Sequence, residues 1–129
     1  MRDVTLRNLD IIHFVMTPFL MEPGEDMCLE NVAIEDVRLC GEGQEELARL
    51  KPAVNEYMWK KVPGLIRNVR FKNVRVTGKP GSYLVALEGA NEAHDIQGVT
   101  FDGVSVLGQW LSREKVRFGK CITNITFSP

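Results

Sequence analysis

Apolar and polar residues alternate in one short motif that returns five times along the chain. Its copies begin at Val4, Val32, Val69, Val99 and Ile125, and the spacing between them drifts from 26 to 37 residues. The first reads Val4-Thr5-Leu6-Arg7-Asn8-Leu9-Asp10-Ile11 and the third Val69-Arg70-Phe71-Lys72-Asn73-Val74-Arg75-Val76. A further apolar residue stands three places ahead of each copy, at Met1, Leu29, Ile66, Ile96 and Ile122. Alternation with β-branched residues is strand periodicity. After the third position the phase slips by one, from Leu6 to Leu9, Ile34 to Val37, Phe71 to Val74 and Phe101 to Val104. Two short strands meeting at a corner explain the slip, because both then keep their apolar side chains inward. The corner residues are Asn8, Asp36, Asn73 and Gly103, types that accept a left-handed backbone at low cost. A second column, Asp3, Asn31, Asn68, Gly98 and Asn124, has the same character.

A repeat of this size cannot bury its own apolar face, whereas stacked repeats share one core. The pattern therefore predicts an all-β fold, a right-handed parallel β-helix of about five coils forming one domain over 1–129. The expected stacks are Val4-Val32-Val69-Val99-Ile125, Leu6-Ile34-Phe71-Phe101-Phe127, Leu9-Val37-Val74-Val104 and Ile11-Leu39-Val76-Val106. Third-side strands are expected at Pro18–Met21, Ser82–Leu87 and Lys115–Phe118. A leucine-rich repeat fits less well, since its asparagine stands elsewhere and its period is tighter. An antiparallel sandwich would show shorter hairpin turns.

The longest interval holds an excursion over 41–65. In its first half Leu47 and Leu50 stand at helical spacing within Gln44–Lys51, so a short helix ended by Pro52 is expected. Its second half, Val54–Gly64, carries Tyr57, Trp59, Lys60 and Lys61, a composition suited to a binding lip on a rigid scaffold. The plainer expectation is that Tyr57, Met58 and Trp59 pack back onto the repeats, and Trp110 likewise.

Composition narrows the functional classes. Lys plus Arg number 16 and Asp plus Glu 17, for a net charge of −1, which disfavours nucleic acid as a partner. No apolar stretch approaches the ~18 residues of a membrane span. The start, Met1-Arg2-Asp3-Val4, lacks a secretion signal, so the chain as it stands is expected in the cytoplasm, although a longer parent could be exported. Cys28, Cys40 and Cys121 have no metal-ligand spacing and are read as reduced; no cofactor or metal is expected. Carboxylate chemistry needs a rigidly placed pair. Glu22, Glu25 and Asp26 in one loop and Glu42, Glu45 and Glu46 in another read as solvated charge, and His13 and His94 have no partnered nucleophile.

Several segments together resemble the last coils of glycoside hydrolase family 28, the polygalacturonase-like enzymes of the pectin-lyase-like β-helix class. They are Met1–Leu9, Thr17-Pro18-Phe19-Leu20, Val54–Met58, Val62-Pro63-Gly64, Ile66–Val74, Tyr83-Leu84-Val85, Glu88-Gly89-Ala90 and His94–Val104. The family's active site uses N-T-D, D-D, G-H-G and R-I-K segments. The first three are missing here, and Arg49-Leu50-Lys51, which echoes the fourth, falls inside the expected excursion and reads as coincidence. Where relatives place a substrate-contacting Tyr, this chain has Glu22-Pro23-Gly24, so no catalytic residue carries over. The resemblance implies a carbohydrate-associated module, with Tyr57, Trp59 and Trp110 as stacking platforms and Lys60 and Lys61 meeting the carboxylates of an acidic polysaccharide. The alternative is a self-assembling structural protein with no sugar ligand. Bare β-edges at both ends predict a homo-oligomer under either reading.

Overall fold

A computed structural model describes residues 2–14 and 16–129, with the backbone alone described for His13 and Phe14. The Met1 position of the flanking apolar column and the His13 side chain thus lie outside the described residues. Ten strands form: β1 (Arg2–Phe14), β2 (Phe19–Met21), β3 (Cys28–Glu42), β4 (Glu46–Leu50), β5 (Leu65–Lys79), β6 (Leu84–Leu87), β7 (Ile96–Val106), β8 (Gln109–Trp110), β9 (Val116–Phe118) and β10 (Ile122–Ser128). The long strands pair in parallel in the order β1-β3-β5-β7-β10, and the short ones in the order β2-β4-β6-β9. Among the strands of the described residues only β8 is antiparallel, folding back on the end of β7 through Ser105 and Trp110. The described residues contain no α-helix, only a 3-10 turn at Arg113–Lys115. Among the described residues no helix is long and apolar enough to cross a membrane.

The register follows the repeat residue by residue. Val4, Val32, Val69, Val99 and Ile125 are paired in one row, and Leu6, Ile34, Phe71, Phe101 and Phe127 in another. The rows from Leu9 to Val104 and from Ile11 to Val106 hold as well. Ile34, Val37, Leu39, Val69, Val74, Val76 and Val99 are buried, each contributing on the order of 1.5–3 kcal/mol of apolar burial. A one-residue slip anywhere would turn these side chains to water, which is why the register is strict.

Every corner residue has the left-handed backbone. φ is 58° at Asn8, 54° at Asp36, 53° at Asn73 and 68° at Gly103, and the second column matches from Asp3 to Asn124. The amides run as ladders: Asn31 donates to Asp3 at 2.9 Å, Asn68 to Asn31 at 2.7 Å and Asn73 to Asp36 at 2.8 Å. Gly98 interrupts one ladder between Asn68 and Asn124. A Cβ there would stand 3.6 Å from the Asn68 backbone, an ordinary contact. Gly98→Asn should therefore raise stability by about 0.5–1 kcal/mol, through a stiffer unfolded chain and a restored ladder, as read from urea denaturation.

On the outer face, cross-strand ion pairs tie the long strands together. Glu35 accepts from Arg7 Nε at 3.0 Å and from Arg70 at 2.6 Å, joining β1, β3 and β5. The Arg70 hydrogen bond, opposed by desolvation and aided by Arg7, holds the Glu35 carboxyl below its ordinary range. Asp10 is held low in the same way by Arg38, at 2.6 Å.

The expected third-side strands appear as β2, β6 and β9, but the expected helix at Gln44–Lys51 is wrong. Glu46–Leu50 is strand β4, and it pairs with β2 and β6. The register slips between Glu46 and Ala48, so the neighbours Leu47 and Ala48 are both buried, followed by Leu50. A bulge of this kind sets Leu47 and Leu50 three apart on one face, which imitates helical spacing. The excursion also shrinks from 41–65 to the loop 51–64, because Gly41 and Glu42 end β3 and Leu65 begins β5.

Candidate functional site

The outer face of the short sheet carries the most organised polar surface. Arg49, Ala86 and Arg117 stand in one row across β4, β6 and β9. The small Ala86 leaves a trough between two arginines. The hollow above it, of about 480 Å³, is bounded by Glu46, Lys51, Glu88 and Phe118. Through Arg49, Lys51 and Glu88 it joins a second hollow of about 370 Å³, lined by Glu22, Pro52, Val54, Pro63 and Lys120. The result is one groove, with the foot of the 51–64 loop as its far wall.

Charges in the groove are mostly held in pairs. Arg49 makes a two-pronged pair with Glu46, donating from Nε at 3.2 Å and also from Nη2. Arg117 donates to Glu45 at 2.5 Å, and Lys51 lies 3.6 Å from Glu88. Arg117 holds the Glu45 carboxyl below its ordinary range, and Glu46 raises Arg49 further. Fixed guanidinium–carboxylate pairs present planar donors and acceptors at set positions, a surface suited to hydroxyl and carboxylate groups on a ligand. Glu42, Glu45 and Glu46, expected as free surface charge, are instead engaged with Lys79, Arg117 and Arg49. Lys79 and Arg117 come from distant segments that the fold brings alongside, whereas Arg49 stands three residues from Glu46.

Arg49-Leu50-Lys51 is also relocated. It stands at the end of a regular strand and not in an excursion, with Leu50 fully buried and the two cations turned to the groove. Sequence reasoning missed Arg49, Ala86 and Arg117 as a set. Reading Glu46–Leu50 as a strand would have found them, since each then occupies the polar slot of a third-side strand.

The loop residues singled out from sequence behave differently from one another. Trp59 is 98% exposed and Tyr57 86%, so neither packs back onto the repeats. Met58 does so, its methyl group resting on Gly24. The Trp59 backbone N–H donates to Glu25 at 2.6 Å, and Lys60 pairs with Asp26 at 3.1 Å. Lys61 donates to the carbonyls of Asn55 and Glu56, at 3.0 Å and 2.5 Å. His94 bridges Asp26, at 2.8 Å, and Asn91, at 3.0 Å. The His94 and then the Lys60 hydrogen bonds hold Asp26 below its ordinary range. The loop is thus anchored while its two aromatics stand free. Lys60 and Lys61 serve the anchoring. Trp110 lies apart, at the C-terminal end of β7, while the loop leads into the N-terminal end of β5. It is 59% exposed and does not pack down as expected.

Cys28, Cys40 and Cys121 are each half-buried. Among the described residues no group of three His, Cys, Asp or Glu side chains converges as a metal site. No family model, curated protein or solved structure matches this chain.

Proposed function

We propose that the chain is a right-handed parallel β-helix of about five coils that binds an acidic polysaccharide along the outer groove of its short sheet. The alternation of the chain between two parallel sheets supports the coil reading, as do the in-register corner columns. The observation that carries the binding reading is the row Arg49–Ala86–Arg117, a trough flanked by two guanidinium groups. Lys51, loosely paired at 3.6 Å, can exchange Glu88 for a ligand carboxylate, and Lys120 has no ion pair among the described residues. The resemblance to polygalacturonase-like coils points to uronate as the repeating unit, whose carboxylates Arg49 and Lys51 would meet. Sugars leaving the far end of the groove meet the 51–64 loop, where Trp59 offers a bare ring for stacking. No catalytic residue is assigned.

The test uses the Trp110→Phe variant, which leaves Trp59 as the single tryptophan reporter. Titration with oligogalacturonate should give a saturable fluorescence change that weakens with added salt. Arg117→Ala or Arg49→Ala should lower the affinity about tenfold, the loss of one charge-assisted hydrogen bond. Trp59→Ala, followed by calorimetry, should lower it by a similar factor. Absence of saturable binding to any acidic oligosaccharide by either method would remove the proposal.

A further inference from the structure

The loop that carries Trp59 is held from a residue that stands outside it. Three connections lie side by side where the chain enters β3, β5 and β7: the turn 24–27, the end of the 51–64 loop and the turn 91–95. The first turn is bonded to the loop through its backbone, the Glu25 N–H donating to the Val62 carbonyl at 2.8 Å and the Asp26 N–H to that of Pro63 at 3.1 Å. It is also strained, since Glu25 and Asp26 both have left-handed backbone, with φ 55° and 64°. Its two side chains grip the loop, Glu25 at the Trp59 N–H and Asp26 at the Lys60 ammonium. His94, from the third turn, reaches past the end of the loop to the same Asp26. Its side chain is only 16% exposed.

The oxygens around the His94 ring decide where its protons sit. Asn91 Oδ1 accepts the backbone N–H groups of Ala93 and His94, each at 3.0 Å, so the amide cannot turn to offer its nitrogen. That oxygen lies 3.0 Å from Nδ1, and an Asp26 carboxylate oxygen lies 2.8 Å from Nε2. Both ring nitrogens therefore face acceptors. A neutral imidazole has one N–H and satisfies one of them; only imidazolium donates to both. The charges around the ring come from three elements. Across the gap stand Asp26, with Lys60 on its other oxygen, and Glu25, bound to the Trp59 N–H. Lys61 of the loop is occupied by the Asn55 and Glu56 carbonyls. On the ring's own turn Glu92 is exposed, and Asp95 is paired with Arg67 of β5 at 2.6 Å.

We propose that His94 is a positioning residue for the Trp59 loop, and that it acts only as imidazolium. Protonated, it completes the contacts that hold the strained 24–27 turn, and that turn in turn holds Trp59 and Lys60. When the ring gives up a proton, one of its contacts becomes an oxygen against a nitrogen lone pair. The turn then relaxes and the loop loses its side-chain anchors. Stacking of a uronate on Trp59 weakens as pH rises through the range in which histidine titrates. This consequence rests on the acidic-sugar reading of the groove, and a measurement without ligand separates the two.

The test uses the intact chain with Trp110→Phe at about pH 5.5 and about pH 7.5, between which His94 alone among the side chains of the groove and loop changes charge. His13 is the other histidine of the chain, so His13→Gln is the control. Without ligand, the fluorescence anisotropy of Trp59 should fall from the lower pH to the higher. With oligogalacturonate, the affinity should fall roughly fivefold over the same interval. Both changes should vanish in His94→Gln and persist in His13→Gln. An anisotropy that ignores pH, or that changes equally in His94→Gln, would overturn the inference whether or not a sugar binds. Saturable sugar binding that is the same at both pH values would overturn the link to the groove. No sugar binding at either pH, together with a His94-dependent anisotropy, would remove the groove reading and leave the hold of His94 on the loop standing.

Discussion

Phe101→Ala is expected to lower the unfolding free energy by about 3–5 kcal/mol, the cost of removing a large ring from a core that cannot close around the gap. Phe101 is 2% exposed and lies between Phe71 and Phe127, its ring centroid 5.2 Å from each and nearly parallel to both. Phe19 completes the column, meeting Phe71 edge-on at 5.5 Å. Substitution removes two stacked pairs as well as the apolar burial. The backbones above and below are fixed by the parallel ladders of β5, β7 and β10, so neither neighbouring ring can descend into the cavity. Phe101→Leu should cost markedly less, because it keeps most of the volume. Phe127→Ala should also cost less, because Phe127 is half-buried at the end of the column. Urea denaturation with unchanged slope is the measurement. A loss below about 1 kcal/mol for Phe101→Ala would mean that the ring column does not hold the repeats together.

Gly78→Ala should cost on the order of 3 kcal/mol or more although it adds a single methyl group. Two penalties coincide. The residue has φ 104°, outside what a side chain tolerates easily, and its Cβ would stand 2.4 Å from the Gly41 carbonyl oxygen and 2.7 Å from the Gly41 nitrogen. Gly41 and Gly78 are partners in the β3–β5 register, so the collision is backbone against methyl and no side chain can swing away. Gly41 cannot retreat either, since the fully buried Tyr83 ring covers it on the other side. That ring is pinned: the Tyr83 hydroxyl donates to the Lys79 carbonyl at 2.6 Å and accepts from the Gly43 N–H at 2.8 Å. Thermal unfolding of Gly78→Ala beside Gly98→Ala makes the comparison informative, because both glycines have positive φ and only one is crowded. Equal effects from the two substitutions would show that backbone conformation alone, and not the close approach, sets the cost.

What was readable from sequence and what was not divides along the range of the forces involved. The Val, Leu and Ile rows were legible because each repeat carries the whole instruction locally: alternation makes the strand and Asn or Asp makes the corner. Leu47 misled for the opposite reason. A bulge is a relation between two strands, and inside one segment it cannot be told from a helical step. Tyr57 and Trp59 misled as well, since apolar content alone suggested packing down. Their loop is held by Glu25 and Asp26, about 34 residues away in the chain, which leaves the rings outside.

By itself, then, the order of residues determined the all-β character, the register of the long strands and the left-handed corners, because short-range sterics and the burial of one face act within every copy of the motif. Only the tertiary structure decided that Glu46–Leu50 is a strand, that Arg49, Ala86 and Arg117 share a row, and that Gly41 and Gly78 meet under Tyr83. These depend on which segments the stack brings side by side. Segments between the motifs vary in length, so their polar residues carry no period, and their neighbours are set only once the repeats have closed on one another.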